Sequence, residues 1–228
     1  MPRLTIPHYY DFGDDRAQVG DSLSTAEDWD ALRVGTDGPF GIAADAAGWA
    51  AQAKQHPELR SRAAIVADAA RALGAASVAS YGVGGASVEY WLTQDADDLS
   101  LTVTEYAPET LRLLASFMPD ATALRHDLLE DGPADADVHL FHRIDTEFSN
   151  AQLRQIMGRF ASAKMIVVAT RLLNWREVKH ELRHRRNPRA TRAGVYRTRA
   201  TFEAIWKRTH IAERAAFGEL AGWVLHPR

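Results

Sequence analysis

Short apolar runs alternate with longer amphipathic stretches through most of the chain after its first quarter. The apolar runs are bounded by Gly, Pro, Asp or Ser, which predicts strands over 76–81, 99–104, 122–125, 137–141 and 164–169. Apolar residues at helical spacing between them predict helices over 86–92, 108–117 and 149–161. Strands separated by helices of about ten residues favour crossover connections, so the pattern predicts an α/β fold with a mainly parallel sheet.

The first part of the chain follows a different pattern. Residues 1–39 carry aromatic side chains among Asp, Gly and Pro, and we expect an irregular arm with one short helix near 26–32. Two further helices are predicted over 44–53 and 58–72. They are separated at Pro57, because the residue before a proline avoids the helical region of backbone conformation.

The last part of the chain predicts a helix over 201–207 and two strands over 211–217 and 221–225. Taken with the alternating segment before it, this pattern divides the chain into two regions. Residues 1–57 form an N-terminal arm and helical cap, and residues 58–228 form the α/β domain.

The net charge of the chain is −3, but the charged residues are distributed unevenly along it. Residues 1–170 hold 13 Lys and Arg against 25 Asp and Glu, a balance of −12, whereas residues 171–210 hold 12 against 3, a balance of +9. A basic segment inside an acidic chain indicates an anionic ligand, a nucleic-acid surface, or a solvated helix face offset by acidic loops.

Composition excludes several kinds of chemistry. The chain has no cysteine, which excludes disulfides, Cys-ligated metal centres and a cysteine nucleophile. Its N-terminal residues lack the apolar core of a signal peptide, and its longest apolar runs are too short to span a bilayer. We therefore expect a cytoplasmic protein with no membrane partner, and we predict no metal site.

A glycine-rich segment follows the first predicted strand. It reads Ser80-Tyr81-Gly82-Val83-Gly84-Gly85 and leads directly into a predicted helix. Glycines allow the backbone to approach a ligand closely, and a helix start offers free N–H groups to it. Taken alone, the segment is equally compatible with a tight turn that binds nothing.

Two acidic residues end the next two predicted strands. Glu105 lies 21 residues beyond Gly84, which is the spacing of the ribose-binding acid in nucleotide-binding α/β folds. Asp127 follows the third strand. The alternative for Glu105 is a solvated acid at a strand end.

The order of glycine loop, Glu105 and Asp127 resembles the class I S-adenosylmethionine-dependent methyltransferases over about residues 58–228. The resemblance implies a Rossmann-like, mainly parallel seven-stranded sheet with helices on both faces, an antiparallel C-terminal strand and a helical N-terminal extension. It implies S-adenosylmethionine as cofactor and S-adenosylhomocysteine as product. The implied cofactor-binding residues are Ser80, Tyr81, Gly82, Gly84, Gly85, Glu105, Tyr106, Asp127 and Leu128. The chain departs from the family where Ser80 replaces a frequent acid and Ala86 replaces a glycine.

The exit of the fourth predicted strand supplies the candidate catalytic residues. His142, Arg143 and Asp145 follow this strand, where ligands bind in such folds. His142 is the candidate general base because an imidazole titrates near neutral pH, and Asp145 is expected to orient it or the acceptor. The alternative is that these side chains are hydrogen-bonded around the strand without a catalytic role.

Tyrosines near the N-terminus and arginines of the basic segment are the candidate acceptor-binding residues. They are Tyr9, Tyr10, Arg171, Arg183 and Arg186. We expect methyl transfer to oxygen of a small-molecule or carbohydrate-like acceptor, which can be anionic given the arginines. Two alternatives stay open: an RNA methyltransferase that uses the arginines of 171–199, and a non-catalytic binding subunit with the same fold.

Overall fold

A seven-stranded sheet is the centre of the computed structural model, which describes residues 2–11, 25–35, 40–185, 187 and 190–228. The strands are β1 (Thr5–Asp11), β2 (Ser77–Tyr81), β3 (Ser100–Glu105), β4 (Thr122–Arg125), β5 (Val138–His142), β6 (Lys164–Val168), β7 (Ala190–Arg197), β8 (His210–Phe217) and β9 (Leu220–Pro227). The large sheet has the order β4-β3-β2-β5-β6-β9-β8. Its pairs are parallel except those that β9 makes with β6 and β8. The predicted mainly parallel sheet with an antiparallel C-terminal strand is confirmed.

Helices pack against both faces of this sheet. They are α1 (Ala26–Arg33), α2 (Ala46–Lys54), α3 (Pro57–Ala72), α4 (Ser87–Asp95), α5 (Pro108–Phe117), α6 (Asn150–Arg159), α7 (Trp175–His184) and α8 (Arg199–Trp206). Side chains of α2 to α5 form one buried cluster, and those of α6 and α8 form another. Val78 and Ala79 are neighbours on β2 yet belong to opposite clusters, as alternation along a strand requires.

A second, two-stranded sheet joins the two ends of the chain. β1 pairs with β7 in antiparallel fashion, from Thr5 opposite Arg197 to Asp11 opposite Ala190. The expectation of an irregular arm is therefore wrong for 5–11, and the basic segment contains a strand that the sequence did not predict. Neither segment shows the alternation of apolar and polar residues that is typical of a half-buried strand. The pair is stabilised instead by backbone hydrogen bonds and by specific side-chain contacts.

The sheet order fixes where a ligand can bind. The chain winds outward from β2 to β3 and β4, then returns to place β5 on the other side of β2. Loops that leave β2 and β5 diverge at this point and open a crevice at the carboxyl edge of the strands. Within the described residues no helix is long and apolar enough to cross a membrane.

Candidate functional site

The glycine loop lies at the carboxyl end of β2, in the crevice between the diverging connections. Gly82 and Gly84 have φ values of +59° and +58°, which glycine adopts without strain. A Cβ atom on Gly82 would also lie 2.9 Å from Cγ2 of Ile144. Ala86, which replaces a family glycine, adopts a left-handed φ of 51° just before α4. Position 86 thus accommodates an alanine. At Gly85 an added Cβ would have no atom within 4 Å, so the loop has open space beside Gly85.

Glu105, the last residue of β3, contacts this loop. Its Oε2 accepts a hydrogen bond from the Gly84 N–H at 3.0 Å, and its Oε1 accepts from the N–H groups of Tyr106 and Ala107 at 2.9 and 3.2 Å. The side chain is buried. Backbone donors therefore hold one carboxylate beside the glycines. The spacing of Gly84 and Glu105 predicts a contact of this carboxylate with ribose, which stays a prediction.

Arg33 occupies the remaining space in front of this carboxylate. Its Nη1 lies 3.0 Å from Glu105 Oε2 as an ion pair, without a well-aligned hydrogen bond to any described residue. Its Nη2 lies 3.4 Å from the position of a Cβ on Gly84, and its guanidinium stacks 4.6 Å from the Trp29 ring. Asp30 ties α1 to the start of α5 by accepting the Thr110 N–H at 2.7 Å. Arg33 was missed at the sequence level because no spacing connects α1 with the glycine loop.

Ser80 is paired with a buried acid that the sequence did not single out. Its hydroxyl donates to Oε1 of Glu89 on α4 at 2.6 Å, and both side chains are buried. Burial raises the pKa of Glu89 to about 7, and the nearby Glu105 adds to the shift. The structure thus puts a buried carboxyl group from the following helix beside Ser80.

Replacing Glu89 with Gln is expected to change how stability depends on pH. Because the folded pKa of Glu89 is raised from 4.5 to about 7, the folded state holds a proton that the unfolded state releases in this window. The stability this gives is full below pH 4.5 and is lost as pH rises through about 7, by up to about 3 kcal/mol. Urea unfolding of Glu89→Gln should show a shallower decline over that range than the wild type. Equal pH dependence in both proteins, with exposed Glu109→Gln as control, would refute the assignment.

Tyr81 faces away from the loop. Its ring is fully buried among aromatic side chains that include Phe160, its hydroxyl oxygen accepts the Ala134 N–H at 2.8 Å, and His139 Nδ1 lies 3.0 Å from that oxygen. Burial raises the pKa of Tyr81 to about 12. Tyr81 can therefore contribute to a cofactor site through its backbone, while the exposed Tyr106 side chain at the end of β3 is free to contact a ligand.

Asp127 lies at the same edge as Glu105. The His126 N–H donates to the backbone carbonyl of Glu105 at 3.2 Å, so the β4 exit runs beside the β3 exit. Asp127 is half-buried, and its Oδ1 accepts the Leu129 N–H at 2.8 Å. Leu128 is buried in the cluster on the α6 face. The structure thus brings the two predicted acids to neighbouring strand ends.

His142 has an environment that opposes the role of general base. Its Nε2 lies 3.4 Å from Nη1 of Arg62, a buried arginine on α3. Burial, Arg143 and Arg62 together lower the pKa of His142 to about 3. The ring is neutral at physiological pH and accepts protons poorly. Arg143 is exposed beside it, with a left-handed φ of 62°.

Asp145 is directed into the protein and bonds to Thr170. Its Oδ1 accepts from the Thr170 N–H at 2.7 Å and the Thr170 hydroxyl at 2.8 Å, while its Oδ2 has no hydrogen-bond partner among the described residues. Burial raises the pKa of Asp145. The residue borders a cavity of about 20 Å³ lined mostly by apolar side chains such as Phe141 and Trp206. No hydrogen bond joins Asp145 to His142 within the described residues, so this carboxylate positions Thr170.

Arg197 fixes the loop that carries Asp145. The side chain is fully buried, and its guanidinium donates to the backbone carbonyls of Asp145 and Phe148 and to Oδ1 of Asn150. Burial lowers the pKa of Arg197 to about 10, so the group stays charged at neutral pH. The charge pattern placed this arginine in a surface block, and only the tertiary structure shows that it is internal.

The predicted acceptor-binding residues that the structure describes lie on β1, after β6 and on α7. Tyr9 and Tyr10 lie on β1, and the Tyr9 N–H donates to Oε2 of Glu181 on α7 at 2.9 Å. Arg171 follows β6 and donates to Glu177 at 3.0 Å. Arg183 is exposed on α7. Arg186 lies outside the described residues.

The architecture was compared with those of known proteins. No family model and no curated protein matches the chain. Among solved structures, human N-acetylserotonin methyltransferase in complex with S-adenosylmethionine has a TM-score of 0.59 at 12% identity, covering 72% of this chain and 51% of its own. The mitomycin 7-O-methyltransferase MmcR has a TM-score of 0.59 at 21% identity, covering 74% and 54%. A putative O-methyltransferase from Nostoc punctiforme has a TM-score of 0.54 at 15% identity, covering 93% and 67%.

The chain has the class I methyltransferase fold. It spans about half the length of the first two structures it resembles, so the likeness concerns the domain that contains the large sheet. At these sequence identities the likeness establishes the fold alone, because one fold can support different activities.

Proposed function

We propose that the protein transfers a methyl group from S-adenosylmethionine to an oxygen of a small-molecule or carbohydrate-like acceptor. The observation that carries the proposal is the hydrogen bond from the Gly84 N–H to Glu105 at the switch point of the sheet. Two structures with the same fold were solved with the cofactor or its product, human N-acetylserotonin methyltransferase with S-adenosylmethionine and PigF with S-adenosylhomocysteine.

The residues at the crevice fit this cofactor with one rearrangement. Glu105 would accept the ribose hydroxyls, the backbone at Gly85 has room for the methionine part, and Asp127 would meet the adenine amine. Three of the four contacts on the Glu105 carboxylate come from fixed backbone N–H groups, and the fourth comes from Arg33. A ribose hydroxyl therefore binds by taking the place of Arg33.

Bound S-adenosylmethionine supplies an electrophilic methyl group, and the chain supplies alignment and a dry site. Alignment and proximity carry much of the rate in such a transfer. For His142 we propose a hydrogen bond to the acceptor hydroxyl in place of full proton transfer, because its pKa of about 3 makes it a weak base. The hydroxyl proton then leaves to bulk water as the methyl group is transferred. Arg143 and Arg171, which follow β5 and β6, are the exposed cations that would attract an anionic acceptor.

The class of acceptor is supported by the structures of the same fold. These structures include a mitomycin 7-O-methyltransferase, and an O-methyltransferase family 2 protein from Planctomyces limnophilus was solved in complex with apigenin. The alternative of an RNA acceptor is weakened because Arg197, one arginine of the basic segment, is internal and cannot contact a phosphate.

A non-catalytic binding subunit stays as the second candidate. The Arg33–Glu105 ion pair favours it, because it closes the crevice at the position of the ribose. Isothermal titration with S-adenosylmethionine and S-adenosylhomocysteine separates the candidates, followed by transfer of labelled methyl to acceptor hydroxyls. Absence of binding at millimolar cofactor would contradict the enzyme proposal.

Removing Arg33 is expected to strengthen cofactor binding. In Arg33→Ala the Glu105 carboxylate loses its competing cation, and we expect S-adenosylhomocysteine to bind about tenfold more tightly, the equivalent of one hydrogen bond to a charged group. Calorimetry measures the change, and Arg112→Ala on the exposed face of α5 is the matched control. Unchanged or weaker binding would show that Arg33 does not compete with the ribose.

A further inference from the structure

Helix α7 presents an apolar stripe to solvent. Trp175 is 63% exposed and Leu182 is 55% exposed, and they are the two most exposed large hydrophobic side chains among the described residues. They lie seven positions apart, which places both on one side of the helix, with the partly exposed Val178 between them. Isolated exposed hydrophobic residues are ordinary, but two on one face of one helix indicate a contact surface.

Exposed cations flank this stripe on both sides. They are Arg176, Lys179, Arg183 and Arg185. At 100° per residue Lys179, Arg183 and Arg185 project within about 90° of the line through Trp175 and Leu182, and Arg176 projects about 110° from it. None forms a side-chain hydrogen bond or ion pair with another described residue. Their charges are therefore available to a partner.

The acids of α7 lie on its other side and are already engaged. Glu177 accepts a hydrogen bond from Arg171 at 3.0 Å. Glu181 is 3% exposed, accepts the Tyr9 N–H at 2.9 Å and lies 3.1 Å from Nδ1 of His8. The outward face of α7 thus combines an apolar centre with a purely basic border, while the inward face fastens the helix to β1.

We propose that the outward face of α7 docks the protein on an anionic lipid surface. Indole and leucine side chains insert at the boundary between headgroups and acyl chains, and arginine and lysine extend to the phosphates. Clustered basic residues beside such a helix are attracted to anionic lipid. The proposal departs from the expectation of no membrane partner, which considered only segments that span the bilayer, and it does not depend on the proposed methyl transfer.

Two other partners fit this face less well. A nucleic-acid backbone would pair with the cations but offers no apolar environment for Leu182 and Val178. A second copy of the chain, packed face to face through α7, would bring two basic borders together. A lipid surface with anionic headgroups complements both the apolar centre and the basic border.

Vesicle co-sedimentation of the full chain tests the proposal. The vesicles are phosphatidylcholine alone, or phosphatidylcholine with about a quarter phosphatidylserine. The test variants are Trp175→Ser/Leu182→Ser and Lys179→Gln/Arg183→Gln. Ile211→Ser on β8, 53% exposed in the wild type, and Arg208→Gln at an exposed position are the matched controls. All substituted side chains are exposed, so circular dichroism and thermal melting should match the wild type.

We expect the wild type and both controls to sediment with anionic vesicles and not with neutral ones, and the fraction bound to fall with added salt. Each test variant should lose binding about tenfold or more. Equal binding by wild type and test variants, or no binding to anionic vesicles, would overturn the proposal. A dimer of the wild type that Trp175→Ser/Leu182→Ser abolishes would also overturn it. The same holds if the wild type binds an RNA oligonucleotide, the test variants lose that binding, and no vesicle binding is seen.

Discussion

Replacing Glu105 with Gln should weaken the binding of S-adenosylhomocysteine by at least about tenfold, because the ribose hydroxyls lose a charged acceptor. The amide keeps the size of the side chain and one oxygen for the N–H groups of Tyr106 and Ala107, so the end of β3 should stay in place. Calorimetric titration measures the affinity. Replacement by Ala removes the acceptor altogether and should reduce affinity by about a hundredfold.

The matched control for this prediction is Glu109→Gln. Glu109 lies four residues further on, on the exposed side of α5, where its side chain pairs with Arg112. We expect its affinity for S-adenosylhomocysteine to equal that of the wild type. If Glu105→Gln also binds with unchanged affinity, the ribose assignment is wrong and the glycine loop serves only as a turn.

The largest effect on stability is expected at Arg197. In Arg197→Met the backbone carbonyls of Asp145 and Phe148 lose their buried donor, and we expect the free energy of unfolding to fall by about 3–5 kcal/mol. Urea denaturation followed by tryptophan fluorescence measures the loss. Arg199→Met, at an exposed position on α8, is the matched control and should change stability by less than about 0.5 kcal/mol.

A more conservative substitution keeps this prediction testable if Arg197→Met does not fold. Arg197→Lys retains the charge but cannot reach both carbonyls and Asn150 together, since an ammonium lacks the planar fork of a guanidinium. We expect an intermediate loss of stability. A loss of under about 1 kcal/mol in Arg197→Met would contradict the view that this arginine fixes the β5–α6 loop.

The centre of the large sheet could be predicted because β2, β5 and β6 are short, mostly buried runs bounded by polar residues. Residues 164–168 show this most clearly, since four of the five are buried. Glu105 and Asp127 could be predicted for a related reason. In a parallel sheet, residues that end neighbouring strands lie at one edge, so sequence position alone specifies their location.

The β1–β7 pair could not be predicted in this way. Its partners lie 179 to 192 residues apart along the chain, from Asp11 opposite Ala190 to Thr5 opposite Arg197. The pairing also rests on Glu181, which an isolated helical pattern would assign to solvent. Long-range pairs of this kind leave no periodic signal in either segment.

The burial of charged side chains was the second feature that could not be predicted from the sequence. Arg197 and Glu89 are charged residue types that usually lie at the surface, yet the fold encloses both. The candidate base shows the same limit. His142 follows a strand as predicted, but the pKa of its ring depends on burial and on Arg62, which comes from α3 some 80 residues earlier.

Binding of the cofactor in the crevice at Glu105 requires that it displace Arg33 from the carboxylate. A crystal structure of the protein with S-adenosylhomocysteine would show this displacement. We expect ribose hydroxyls on the Glu105 carboxylate, the homocysteine part along Gly82 to Gly85, and the Arg33 guanidinium moved away from Oε2. A ligand bound elsewhere, with the Arg33–Glu105 ion pair still intact, would contradict it.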